Sequence, residues 1–293
     1  MRDDPAPPRP PPARVRPAVR DDIPAILPLI ERHFGTRIDR AAWQRLFDYG
    51  WGEKPNLGWV LDQNGRIVGF LGAIHAEREI DGRPERFCNL TTMCVDPDHR
   101  AMAPFLVMAA ARLPGCTVTD LSPRLSVRHL LEKAGFTPLD PARLIIPPLL
   151  NAASLVHGRP AITCDAGRIR PALDPPLRRI LDDHLPYGCL PVLLQRDGRH
   201  CLLLAKRRTL RRVVPLSEIL FASAPDVLTR CIDAVAWTLA ARQRTLAVSA
   251  DSRLFGTAPP RGIRLTGVAM VRSLRLQPGR IDNLYSELVL LPM

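Results

Sequence analysis

Tyrosine, tryptophan and lysine are scarce in this chain. There are three, four and three of them among 293 residues, and aromatic residues make up 5% of the whole. A nucleic-acid surface that works by stacking needs aromatics interleaved with cations, and the basic runs Lys206-Arg207-Arg208 and Arg211-Arg212 have none, so nucleic acid is not the expected partner. Long apolar runs are missing too: the most apolar, 144–150 and 288–291, are strand-length, and no membrane association is expected. Residues 1–12 have no apolar core of a secretory signal, so the expected location is cytoplasmic.

Several chemistries are excluded by missing patterns. The seven cysteines (Cys88, Cys94, Cys116, Cys164, Cys189, Cys201 and Cys231) form no C-x-x-C and have no histidine at zinc-ligand spacing, so they read as reduced thiols and no metal is expected. There is no G-x-G-x-x-G dinucleotide loop, no G-x-x-x-x-G-K-[ST], no G-x-S-x-G elbow and no H-E-x-x-H. Asp120, Ser122 and His129 are close in sequence but not at a spacing that suggests a triad.

What the chain has in quantity is arginine, proline and aliphatic side chains. Net charge is +12, carried almost wholly by Arg beside 31 Pro, a skew that fits coding bias or attraction of an anionic cofactor or substrate. A 46% hydrophobic content over 293 residues suffices for one large core or two ordinary domains.

Residues 1–13 are Pro-rich and charged and read as a disordered leader. A short strand over 13–18 precedes a helix started by Asp21 or Asp22, and a second helix runs over 39–49. Asn64-Gly65 between apolar runs marks a hairpin, and Asp81-Gly82 joins a long third strand to a fourth over 86–95. A helix over 103–113, a buried strand over 116–121, a helix over 123–134 stopped by Gly135-Phe136 and a strand through 144–146 complete the first half. Residues 141–175, rich in Pro, Ala and Gly, read as a connection.

Beyond it the order recurs as an internal duplication would: a helix over 177–184, strands over 190–194, 200–205 and 213–221, a helix over 225–242, and a strand over 245–251. Strands over 264–272 and 284–290 close the chain. The expected division is 14–148 and 174–293, joined by 149–173.

The most informative segment is Cys94-Val95-Asp96-Pro97-Asp98-His99-Arg100 leading into the helix at Ala103. A strand turning directly into a helix start presents main-chain N–H groups to an anion, and a pyrophosphate suits it. The segment resembles the cofactor loop of the GCN5-related N-acetyltransferase family, in which Val is followed five residues on by Arg or Gln and then by two small residues. Val95 and Arg100 match, whereas Ala103 and Phe105 stand at the two glycine positions and Pro104 removes a donor. The Gly135-Phe136 pair and the element order carry the same resemblance over 15–146, and more weakly beyond.

The resemblance implies an α/β fold with a mixed sheet, twice in tandem, the second copy divergent. It implies acetyl-CoA or another acyl-CoA as co-substrate, held by Met93, Cys94, Val95, Arg100, Ala101, Met102, Ala103 and Phe105. The activity it implies is acyl transfer to an amine or hydroxyl of a small molecule or sugar, with a homodimer as one allowed assembly. The family often uses a Glu base on the fourth or fifth strand and a Tyr acid four residues before the Gly-Phe pair; here the fourth strand lacks a carboxylate and the Tyr position is Leu131. The remaining candidates are Asp120, Glu218 and Tyr285, with Glu287 alternating beside Tyr285. Each also has a plain reading: Asp120 caps a helix, His129 is solvated, and Glu218 pairs with one of Arg207 to Arg212. The rival to an enzyme is a catalytically degenerate CoA-binding or protein-interaction module.

Overall fold

A computed structural model of the chain describes residues 12–292 except 36, 37, 140, 141, 149, 151–159, 211, 212 and 257. The expected leader therefore lies almost wholly outside the described residues. In the first half, β1 (Arg14–Pro17) is followed by α1 (Ile23–Phe34) and α2 (Arg40–Asp48). Asp39 caps α2 by accepting the Ala42 N–H at 2.6 Å, and Trp43, Leu46 and Phe47 recur at helical spacing to form its buried face. Then come β2 (Gly58–Gln63), β3 (Arg66–Ile80), β4 (Arg83–Val95), α3 (Ala103–Ala111), β5 (Cys116–Asp120), α4 (Leu125–Lys133), β6 (Thr137–Pro138) and β7 (Ala142–Ile146).

The second half repeats this order: β8 (Ala161–Thr163), α5 (Ala166–Ile169), α6 (Pro175–His184), β9 (Leu190–Arg196), β10 (Arg199–Leu210), β11 (Val214–Ala222), α7 (Pro225–Gln243), β12 (Ala247–Asp251), β13 (Ile263–Thr266) and β14 (Met270–Arg272). A short turn over 252–255 stands where α4 stood, and α8 (Glu287–Leu290) ends the described chain. Three hairpins turn on Asn64-Gly65, Asp81-Gly82 and Asp197-Gly198, each with φ between 50° and 84° at both positions. That left-handed pair matches the natural twist of the strands, which is why these dipeptides announce the turns in sequence.

The two seven-stranded sheets exchange a strand. The first runs β1-β2-β3-β4-β5-β14-β6 and the second β13-β7-β12-β11-β10-β9-β8. Each half thus gives its last strand to the other: β14 pairs with β5 and β6, while β7 pairs with β12 and β13. Chain order alone places 142–146 with the first half, because a strand's own sequence does not say which edge it joins. Three further expectations differ from the fold, the first being that the strand expected over 264–272 is two, β13 and β14, in different sheets. Residues 160–173 hold β8 and α5, elements too short for periodicity to register. Residues 284–290 form a turn and α8 rather than a strand, with Tyr285 at φ 53°.

α3 covers the outer face of the first sheet and α7 that of the second, each over its own apolar cluster. A third cluster joins the inner faces of both sheets, built from α1 and α2 on one side, Leu193, Leu202, Leu204 and Leu220 on the other, and 284–291 between. No helix among the described residues is long and apolar enough to cross a membrane.

Candidate active site

β4 and β5 run parallel and pair from Arg86↔Cys116 to Asn89↔Thr119, and there the pairing stops while β4 continues to Val95. Beyond that point a cleft opens between them. On its other edge β4 bulges against β3: Gly72 faces Thr91 and Phe70 faces Cys94, so Thr92 and Met93 fall outside the ladder, with Thr92 at φ 53°. A bulge of this kind frees main-chain groups and aims them away from the strand pair. Both residues line the cleft.

The strand then enters a tight turn over 97–102 and α3. Asp96, just before the turn, lies 3.3 Å from Arg32 and 3.7 Å from Arg66, which offset its charge, while Asp98 lies exposed within the turn. The corner is open: Arg100 is exposed and the Phe105 side chain is 51% exposed rather than folded back into the turn. An anionic cofactor fits this corner, with exposed Arg100 in the turn on one side and the bulge of β4 on the other.

Two carboxyl groups meet where the strands part. Asp120 ends β5, and Glu287 arrives from the far end of the chain at the start of α8. The Ser122 hydroxyl donates to Glu287 Oε1 at 2.6 Å, and the Asn89 amide donates to Oε2. Thr119 in turn donates to Asn89 Oδ1 at 3.0 Å, which fixes the orientation of the amide. Burial drives the Asp120 carboxyl well above the ordinary carboxylate range and nearby Glu287 adds to the rise, against one hydrogen bond from the Ser122 N–H. Burial raises Glu287 as well, against the hydrogen bonds from Ser122 and Asn89. Two like-charged groups sharing a dry site do not both ionise easily, so ionisation of one opposes ionisation of the other.

The pair lines a cavity of about 250 Å³, whose other walls include Phe34, Trp43, Thr91, Thr92, Met93 and Val127. Among the described residues no group of three or more His, Cys, Asp and Glu side chains is placed to hold a metal ion.

No protein-family model matches the sequence, and no curated protein matches it. Solved structures do. A GCN5-related N-acetyltransferase from Anabaena variabilis ATCC 29413 superposes with a TM-score of 0.55 at 12% identity, over 89% of this chain and 72% of its own. A conserved protein of unknown function from Enterococcus faecalis V583, described as a probable N-acyltransferase, gives 0.52 at 11% over 91% and 74%. A putative acetyltransferase from Pyrococcus horikoshii gives 0.50 at 12% over 90% and 90%. This chain has the GCN5-related N-acetyltransferase fold. It has it twice in tandem, as the repeated element order shows.

The second copy of the acetyltransferase fold has the same cleft and fills it with its own chain. β11 and β12 pair from Leu216↔Ala247 to Ile219↔Ala250 and then part, and Leu220 is the bulged residue opposite β10. The Asn283 N–H donates to the Leu220 carbonyl at 3.2 Å, and the Asn283 side chain donates to Asp251 Oδ2 at 2.7 Å. Arg253 donates to the Ile281 carbonyl and to Asn283 Oδ1, closing the segment in place.

The residues singled out from sequence are not gathered in one place. Asp120 lies in the first cleft. Glu218 is buried between the copies, 3.0 Å from Arg208 and 3.1 Å from Arg143, which is an ion-pair position. Tyr285 donates to Asp183 Oδ2 at 2.8 Å and packs edge-on against Trp51 and His184. All three tyrosines surround Trp51, with ring centres 5.1–5.2 Å away, so none stands in the cleft. Leu131, at the family's Tyr position, is fully buried, and His129 is exposed beside Glu132.

Val95 lends its carbonyl to His33 Nε2 at 3.0 Å, Cys94 is buried, and Ala101 and Met102 lie in the turn that Ala103 closes into α3. The residue that sequence reasoning under-weighted is Glu287. Its signal was a carboxylate in an apolar stretch, but the partners that define its role, Ser122 and Asn89, lie 165 and 198 residues upstream.

Proposed function

We propose that the chain transfers an acyl group from acyl-CoA, acetyl-CoA in the first instance, to an amine or hydroxyl of a small molecule in the cleft of the first copy. The observation that carries this reading is the meeting of Asp120 and Glu287 where β4 and β5 part, beside the bulge at Thr92 and Met93. The residues that would hold the cofactor are Met93, Cys94 and Val95 along the strand end and Arg100 to Phe105 around the turn. Acyl-CoA supplies an activated carbonyl on a thiol leaving group.

The chain's own residues handle position and protons. The ionised member of the acid pair takes a proton from the acceptor, whose nitrogen or oxygen then bonds to the acyl carbon as the carbon–sulfur bond breaks, and the departing sulfur ends as a thiol. With no Tyr in the cleft, the protonated member of the same pair is the available donor. Freed main-chain groups of the bulge at Thr92 and Met93 line the cleft and would be available to a developing negative charge on the acyl oxygen. Holding both reactants in one cleft supplies much of the remaining rate.

Thiol release from acetyl-CoA over a panel of amines and alcohols tests the reading. Turnover that falls sharply in Glu287→Gln while the variant still gains thermal stability from coenzyme A supports it. Stabilisation by coenzyme A with no thiol release from any acceptor would instead favour a binding module.

A further inference from the structure

We propose that the acceptor is a small apolar primary amine of single-ring size, its ammonium seated at Asp120 and Glu287 and its body against Phe34, Trp43 and Val127. This rests on the acyl-transfer reading and narrows it. The cavity of about 250 Å³ lies at the small end of ligand pockets, which run from about 300 to 1,000 Å³, so it suits a single small molecule. At one end are the carboxyls, which attract a cation and repel an anion. The rest of the wall is mostly apolar. Phe34 and Trp43 form a tilted pair with ring centres 5.4 Å apart, and Ile38, Val127 and Leu291 complete it.

The cation among the lining residues, Arg124, lies over the Phe34 ring at 4.8 Å, so its charge is directed to an aromatic face. A sugar amine is disfavoured because its ring hydroxyls would meet these apolar walls without partners.

The test compares benzylamine, 4-hydroxybenzylamine, glucosamine and a lysine-containing peptide as acceptors at saturating acetyl-CoA, and titrates benzylamine into the intact protein without acyl-CoA. The expected result is kcat/KM for the benzylamines at least a hundredfold above the sugar amine and the peptide. Phe34→Leu should raise KM for benzylamine about tenfold with kcat and coenzyme A affinity unchanged.

Efficient transfer to glucosamine or to the peptide would overturn this inference while leaving acyl transfer standing. Absence of transfer to every acceptor would sink the acyl-transfer reading. In that case, heat of benzylamine binding that disappears in Glu287→Gln would still support the seat, and no heat would overturn it.

Discussion

Glu287 is where residue-scale predictions are sharpest. Glu287→Gln keeps the hydrogen bond from Ser122 and removes the charge, so acetyl transfer should fall by about 10²–10⁴, the range of general acid–base contributions, with coenzyme A affinity unchanged. Steady-state kinetics beside a coenzyme A titration check this. Asp120 and Glu287 both titrate higher in the fold than in the unfolded chain. Their protonated forms therefore add stability in full below about pH 4, the unfolded carboxylate range, and that contribution is lost as pH rises through the folded values.

The melting temperature of the natural chain minus that of Asp120→Asn, followed from pH 4 to 8, should decline across that window. A flat difference would mean the pair is solvated. Activity should rise with pH as the base ionises and fall again as the remaining acid loses its proton, a bell-shaped profile. Glu218→Gln should behave differently, since it strips a buried partner from Arg208 and Arg143: about 3–5 kcal/mol of stability is at stake, read by denaturant unfolding. Asp120 was legible in sequence because it ends an apolar strand at a turn. The pairing of Glu218 with one of Arg207 to Arg212 was legible too, and Arg208 fulfils it, whereas Glu287 was less so because its partners Asn89 and Ser122 lie in the other copy.

Elements were easier to read than residues. Hairpin dipeptides, the Gly135 stop and the strand-turn-helix at Val95 to Ala103 are local signals, and each lies where the sequence put it. Elements of two to four residues, such as β8 and α5, carry too few positions for a period. The tail over 281–286 alternates like a strand but is held by side chains, with Arg78 paired to Asp282 and Arg253 to Asn283. The turn before α3 gives the prediction at this scale. Arg100→Ala should weaken coenzyme A binding about tenfold or more, as the loss of a charge-assisted contact does, and leave kcat at saturation nearly unchanged. Equal affinity of the two proteins in calorimetry would place the diphosphate elsewhere.

At the scale of the molecule, the exchanged strands make the two copies one folding unit, because each sheet is completed by the other half. A chain cut between the halves should expose the edge of β5 and aggregate, which light scattering of the isolated first half would reveal. The exchange also explains how a residue near the end of the chain reaches the first cleft. After β14 leaves the first sheet, the tail passes through the second cleft at Asn283 and delivers Glu287 between Asn89 and Ser122. Lys206 and Arg208 of β10 then hold the carbonyls of Leu288, Val289 and Leu291, anchoring α8.

One cleft is open and its counterpart is closed by the chain itself. Calorimetric titration of the intact protein with coenzyme A measures this directly. The account predicts one site per chain; two equivalent sites, or no heat at all, would contradict it.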